Sequence, residues 1–275
     1  MTADPSSQWQ CLLRNVGAWE GSFTRLSPQG ELVEDVRSIV TFEPYDEDRS
    51  MRQTLEFFTP TGELKDKKVL EYSSLNRNIL LFENGAFSLG SIQAAPFGEF
   101  GAELGLIQGK RRLRLVELFQ SKVPSRFTLI REFLRGEPRV ERPPLTVDQL
   151  VGDWRGEAIT IYPDWQSPSR YETTLTIHTV GDRLTQTLTM PGREIASSAA
   201  IDGSILRFDQ GSYPMQMLLL PDGASANTPL EIPSGKPFFL EAGWLFAENQ
   251  RQRMIRSYDS KGGWSSLTLI TERRI

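Results

Sequence analysis

Two residue types on which much enzyme chemistry depends are almost missing. The 275 residues contain one histidine, His178, and one cysteine, Cys11. A nucleophile activated by histidine needs that base beside a Ser or Cys, and His178 follows Thr174 and Thr176 on the polar parity of its segment, where an exposed position is expected. One histidine and one cysteine far apart in sequence leave no zinc set. A single cysteine forms no internal disulfide, which fits a reducing compartment, most simply the cytoplasm. There is no basic excess: the net charge of −4 argues against a general nucleic-acid binder. No apolar run reaches the roughly 18 residues that span a bilayer, and residues 1–7 lack the basic and apolar regions of a secretory signal. No phosphate-cradling glycine loop occurs. Gly98, Gly101 and Gly105 are spaced differently and are expected to mark bends or bulges in strands. No cofactor is implied.

What is present is a repeat. Gly17-Ala18-Trp19-Glu20-Gly21 returns as Gly152-Asp153-Trp154-Arg155-Gly156, with the tryptophans 135 residues apart. Four further matches follow in order: Gly85 with Gly223 and Glu103 with Glu241 at a spacing of 138, Arg114 with Arg253 at 139, and Thr128 with Thr268 at 140. Collinear matches with slowly drifting spacing are the mark of an internal duplication. Residues 136–145 are rich in Pro, Gly and charge, as a short stiff linker should be. The expected division is therefore 1–135, a linker at 136–145, and 146–275.

Within each half the dominant period is two, as in Thr173-Thr174-Leu175-Thr176-Ile177 and Arg112-Leu113-Arg114-Leu115. Alternation marks half-buried strands. Turn signals such as Asn84-Gly85, Asp202-Gly203 and Asp222-Gly223 separate them, and Asn-Gly and Asp-Gly suit tight hairpins. Short helices are expected at Ser7–Val16 and Thr146–Val151, the second opened by a Thr-x-x-Gln capping box. The predicted fold class is all-β: two tandem antiparallel barrels, each preceded by a short helix, with Trp19 and Trp154 as core plugs.

A short helix, Gly-x-Trp on the first strand, and an antiparallel meander ending in a strand with Arg131 resemble the lipocalin, or calycin, pattern. The resemblance implies that the tryptophan packs at the closed end of the barrel beneath an arginine of the last strand. Arg131 fits in the first half; Thr271 stands at the matching place in the second, where Arg273 could substitute. Further segments carry a more specific resemblance: Trp19-Glu20-Gly21-Ser22-Phe23, Glu71-Tyr72-Ser73-Ser74-Leu75, Phe82-Glu83-Asn84-Gly85-Ala86 and Arg142-Pro143-Pro144-Leu145-Thr146. They are similar to a cyanobacterial family with two calycin-like domains and no assigned function. That family is similar in fold to the S-type phycobiliprotein lyases, which carry an open-chain tetrapyrrole to a cysteine on a photosynthetic antenna protein. No lyase motif is matched position by position.

The candidate site residues are charged. Leu113, Leu115, Glu117 and Phe119 share one parity, and Gln252, Met254, Arg256 and Tyr258 the equivalent one. Each half thus places a charge, Glu117 or Arg256, in a largely apolar face, which is costly unless paired. This marks either a lumen holding a polar ligand group or a wet rim. The arginines at 110–114 and 251–256, Arg114 and Arg253 among them, could clamp carboxylates such as tetrapyrrole propionates, or could solvate a hairpin tip. Glu103 and Glu241 could pair with them. Lys65-Asp66-Lys67-Lys68 is expected to be a solvated hairpin, and the unmatched Trp9, Trp165, Trp244 and Trp264 to be packing or pocket residues. The leading expectation is non-catalytic binding of a small, largely apolar ligand in a lumen, a tetrapyrrole pigment by the resemblance. The alternatives are a bilin-lyase-like transferase, with Glu117 or Glu103 as acid or base, and a protein-interaction scaffold with filled barrels.

Overall fold

A computed structural model of the chain describes residues 7–95, 98–164 and 166–275; Trp165 lies outside them. The first half opens with helix α1 (Gln8–Leu13), followed by β1 (Gly17–Leu26), β2 (Leu32–Tyr45), β3 (Ser50–Phe58), β4 (Leu64–Tyr72), β5 (Ile79–Leu81), β6 (Phe87–Gly90), β7 (Glu99–Gln108), β8 (Arg111–Gln120) and β9 (Val123–Leu134). The second has α2 (Val147–Leu150), then β10 (Gly152–Ile161), β11 (Ser169–Val180), β12 (Arg183–Met190), β13 (Arg193–Asp202), β14 (Ile205–Phe208), β15 (Met215–Leu219), β16 (Ala224–Pro229), β17 (Phe238–Ala247), β18 (Gln250–Tyr258) and β19 (Trp264–Arg274).

Both helices start as the sequence predicts. Ser7 and Thr146 accept from the N–H groups of Gln10 and Gln149, whose side chains bond back to the cap N–H. These reciprocal bonds satisfy donors that a helix N-terminus leaves free. Gly17 and Gly152 follow at φ +125° and +129°, a conformation open to glycine, and start β1 and β10. The tryptophan two residues on is fully buried in each half, and its indole N–H donates four residues back: Trp19 to Asn15 O, in the turn after α1, at 2.8 Å, and Trp154 to Leu150 O, the last residue of α2, at 2.9 Å.

The all-β barrel expectation holds, with one difference. The second half closes by hydrogen bonding as a ten-stranded barrel, β10 to β19 in sequence order with β19 back on β10. The first is a curled nine-stranded sheet in the order β4-β3-β2-β1-β9-β8-β7-β6-β5. Its ends, β4 and β5, do not pair. The spacing of 138 equates β5 with β15 and β6 with β16, so β14 has no counterpart in the first half. The connection from β4 to β5 is too short for it: residues 73–78, against 203–214 between β13 and β15. Lys65-Asp66-Lys67-Lys68 is accordingly not a hairpin but the middle of the edge strand β4. Gly101 and Gly105 are not bulges either. They lie in the regular register of β7, and a side chain at Gly105 would meet the Phe87 ring at 2.6 Å.

The larger apolar cluster runs from the interior of the first half through the contact between the two barrels. The outward parity of β7 and β8 packs on that of β17 and β18, with Leu104, Leu115, Phe119, Leu240, Met254 and Tyr258 in one buried cluster. The contact has the character of a two-fold axis. Phe100 and Phe238 are equivalent, as are Phe119 and Tyr258. Phe100 meets Phe119 at 5.5 Å, Phe238 at 5.8 Å and Tyr258 at 5.1 Å, and Phe238 stacks on Tyr258 at 4.7 Å. Ile232 N–H donates to Lys122 O at 2.9 Å, and its equivalent Ala94 donates to Gly262 O, in the matching turn, at 2.8 Å. Reciprocal contacts between equivalent positions define an isologous interface. Asp222 ties the second barrel to both β8 and the linker: its carboxylate accepts from Arg111 Nη2 of β8 at 2.6 Å and from the Arg142 N–H of the linker at 2.7 Å.

Candidate functional site

Strand pairing decides where each candidate points. On β18 the lumen takes Arg251, Arg253, Ile255 and Ser257. The opposite parity, Gln252, Met254, Arg256 and Tyr258, faces the first barrel. Glu117 and Arg256 therefore do not enter the lumens as expected; both are 0% exposed, in the interface between barrels. The reason is the pleat: the face predicted to be a lumen is the one that two convex sheets bury against each other. Arg256 donates to Ser88 Oγ and Ser91 O at 3.1 Å each and to Tyr258 Oη at 2.7 Å, and lies 3.4 Å over the Trp264 ring. Glu117 has no hydrogen bond of normal geometry to either oxygen. Burial pushes its pKa well above the usual carboxylate range, and the Thr228 hydroxyl eases this only in part. Burial thus favours its protonated form.

The other candidates come together at the floor of each half, in two copies of one network. In the first, Arg114 meets Glu132 with two bonds, Nε to Oε2 at 3.0 Å and Nη2 to Oε1 at 2.9 Å, and reaches Glu103 at 2.7 Å. Arg112 donates to Glu132 at 2.7 Å and lies 4.6 Å over the Trp19 ring. In the second, Arg253 meets Glu272 at 3.0 and 2.9 Å and Glu241 at 3.4 Å. Arg251 also donates to Glu272 and lies 4.2 Å over the Trp154 ring. The arginine over each tryptophan thus comes from β8 or β18. Arg131 instead points outward, to Thr24 at 2.8 Å and Glu141 at 2.5 Å, and Arg273 is exposed; only Arg274, 4.7 Å from the Trp154 ring, supplies a last-strand arginine there. Glu132 and Glu272 are the members the sequence reading missed. The available signal was the matched Thr-x-x-x-Glu at 128–132 and 268–272.

In each network one glutamate is held ionised between two arginines. Burial raises the carboxyl pKa of Glu272, but the guanidiniums of Arg251 and Arg253 outweigh it and hold the group at about 2. Glu132 is lowered in the same way by Arg112 and Arg114. Arg114 and Arg253 are held charged by the same carboxylates. They are not free to clamp a ligand carboxylate. Glu241 differs: burial lifts it above the usual range, and Arg253 only partly offsets this. It is the lumen carboxyl most able to hold a proton.

Above this floor the second barrel holds a cavity of about 1130 Å³. Its walls are apolar at Leu175, Leu188, Met215, Met217, Phe239 and Ile255, and hydroxylated at Thr160, Tyr171, Ser197, Ser257 and Thr268. Thr173 Oγ1 and Asn227 Oδ1 are buried on its wall without a hydrogen-bond partner among the described residues. Arg251 Nη2 is a third such atom. His178, as expected, is exposed. The first half offers a trough instead, where Phe23, Leu55, Phe57, Leu70, Phe87 and Leu89 stand half-buried or exposed on the concave side. Among the described residues no helix is long and apolar enough to cross a membrane.

Two meandering antiparallel sheets, one closed and one open, each with a buried Arg–Glu floor packed over a tryptophan, define the architecture. The chain belongs to the DUF3598 family. A crystal structure of a DUF3598 protein of unknown function from the cyanobacterium Nostoc punctiforme is 48% identical, with 98% of this chain and 100% of that one covered and a TM-score of 0.93. Residues 5–137 match the family's N-terminal domain model, and residues 141–275 match the model described as the C-terminal domain of biogenesis factor required for ATP synthase 1. The S-type phycobiliprotein lyase CPES from Guillardia theta is more distant, at 13% identity over 47% of this chain and 90% of that one, with a TM-score of 0.38. No curated protein matches the chain.

Proposed function

We propose that the protein is a non-catalytic binding protein that holds one small, largely apolar ligand in the lumen of the second barrel. The cavity of about 1130 Å³ carries this reading, since pockets for small molecules start at roughly 300 Å³. The walls define the ligand: a long apolar body with a few neutral hydrogen-bonding groups, met by hydroxyls, Asn227 and the protonated form of Glu241. An open-chain tetrapyrrole is the first ligand to test, as cargo for a photosynthetic antenna protein. Its propionates would lie toward the exposed Arg193 on the cavity wall, because Arg251 and Arg253 are already paired. In a lyase-like transfer, Glu241 would be the lumen group to move a proton. The first half, with Arg114 and Glu103 at the base of an open trough, is the weaker small-molecule site. Native mass spectrometry with added biliverdin, and separately with a long-chain fatty acid, tests the reading. One stoichiometric adduct is expected, lost when Ser197→Phe and Ser257→Phe fill the lumen. A clean apo mass with both probes overturns it.

A second reading, assembly of a protein complex, is favoured by the family model matched at residues 141–275, named for a biogenesis factor of an ATP synthase. Co-purification with ATP synthase subunits, retained in the lumen-filled variant, would support it over the first. Loss of co-purification in that variant would tie the two readings together.

A further inference from the structure

The first half lacks one strand, and the second shows what stands in its place. In the closed barrel, β14 pairs with β13 on one side and β15 on the other and sends Leu206 and Phe208 inward. In the first half the equivalents of those neighbours, β4 and β5, are the two ends of the sheet. One small substitution already sits there. Leu219 N–H donates to Ser204 O, beside β14, at 2.8 Å. Its equivalent, Leu81 N–H, donates to the side chain of Gln8 at 2.7 Å, and Gln8 Nε2 donates to Leu81 O at 3.0 Å. A side-chain amide of α1 thus stands in for the backbone of a missing strand at one end of the seam. Trp9 closes the same end, edge-on to Tyr72 at 6.1 Å. The rest of β4 has no strand on its outer edge among the described residues, and from Leu64 to Glu71 it is exposed throughout.

We propose that the seam between β4 and β5 is a receptor for an extended segment of a partner protein, which pairs with β4 as a tenth strand and completes the first barrel. An open sheet edge offers unpaired N–H and C=O groups to such a segment, and side chains of alternate parity give specificity. The segment's inward residues meet Leu70, Leu81 and Leu89, so they are apolar. Lys68 shares the inward parity of β4 and has no ion-pair partner among the described residues, so a carboxylate fits beside it. β4 supplies the ladder; β5, three residues long with Leu81 already held, closes against the segment through side chains. A second copy of this chain is the poorer occupant: β4 carries Lys65, Lys67 and Lys68, and lysines on an edge strand oppose self-pairing. This inference is independent of the lumen reading, because the two occupancies are read on different residues.

Two experiments on the full chain test it. In the first, a peptide copying residues 203–211 is titrated to about 1 mM while amide resonances are followed. Shifts confined to 64–72 and 79–81, absent with the Leu206→Pro peptide, are expected. Shifts only in the second lumen, or none, overturn the proposal. In the second, residues 203–214 replace 73–78. The graft should slow β4 amide exchange by about tenfold or more, and a folded graft with unprotected β4 overturns it; if the graft fails to fold, the peptide titration decides. Dimerisation through β4 without peptide, seen by sedimentation, would replace the partner with a second copy.

Discussion

Glu117 and Arg256 occupy equivalent positions and show how much one substitution between copies can change. Both lie in the apolar interface, yet Arg256 is bonded to Ser88, Ser91 and Tyr258 while Glu117 has the Thr228 hydroxyl and the unfavourable charge of Glu241. A carboxyl whose folded pKa is raised above its unfolded value costs nothing below the unfolded value, about 4.3, and costs increasingly as pH rises above it, by at most about 1.4 kcal/mol per pH unit. Glu117→Gln should therefore raise the melting temperature at pH 8 and leave it nearly unchanged at pH 4. A gain that is the same at both values would show that burial does not disfavour the Glu117 carboxylate. Glu272 has the opposite sign. Its folded pKa of about 2 contributes stability that is complete above the unfolded value and lost as pH falls from about 5 toward 2. Arg253→Leu leaves Glu272 with Arg251 as its one remaining guanidinium partner and should destabilise the protein in urea unfolding at pH 7; Arg251→Leu added to it leaves the carboxylate uncompensated and should bring the total cost to about 3–5 kcal/mol or more. These charged positions were legible in the sequence as aligned pairs. Which way they faced was not, because an alternating strand buried on both sides gives the same pattern whichever face is the lumen.

At the scale of elements, the helix starts, the strand alternation and the hairpin turns were all local and all readable. The capping boxes at Ser7 and Thr146 make a local prediction: Ser7→Ala and Thr146→Ala should each cost about 0.5–2 kcal/mol, with the first also speeding amide exchange at Leu81 through displacement of Gln8. An unchanged Leu81 amide would separate the cap from the seam. The seam itself was not readable. Lys65-Asp66-Lys67-Lys68 has the composition of a turn, and only the partnering of β4 shows that it is an edge strand carrying its own lysines. The loss of β14 was visible in principle as a shorter connection after Tyr72. The spacing between the copies changes across that connection, from 135 at Trp19 and Trp154 to 138 at Gly85 and Gly223.

The whole molecule is two sheets fastened back to back, and the fastening is part of its larger apolar cluster. The duplication was plain in the sequence, but nothing local announces that equivalent faces of the two copies bury each other. Residues 1–135 and 146–275 expressed separately should each expose the face around Phe119 or Tyr258, aggregate or bind hydrophobic dye, and recombine when mixed; two halves that are each monomeric and cooperatively folded would contradict this. The central claim is that the lumen of the second barrel takes the ligand. The most direct test is a titration with methionine methyl groups labelled for NMR, because methionines sample every compartment. Met190, Met215 and Met217 line the lumen, whereas Met51 and Met254 are buried in the core cluster that joins the barrels. Binding in the lumen shifts the first three and leaves Met51 and Met254 in place. Shifts at Met51 or Met254 alone, or at none of the five, would contradict it.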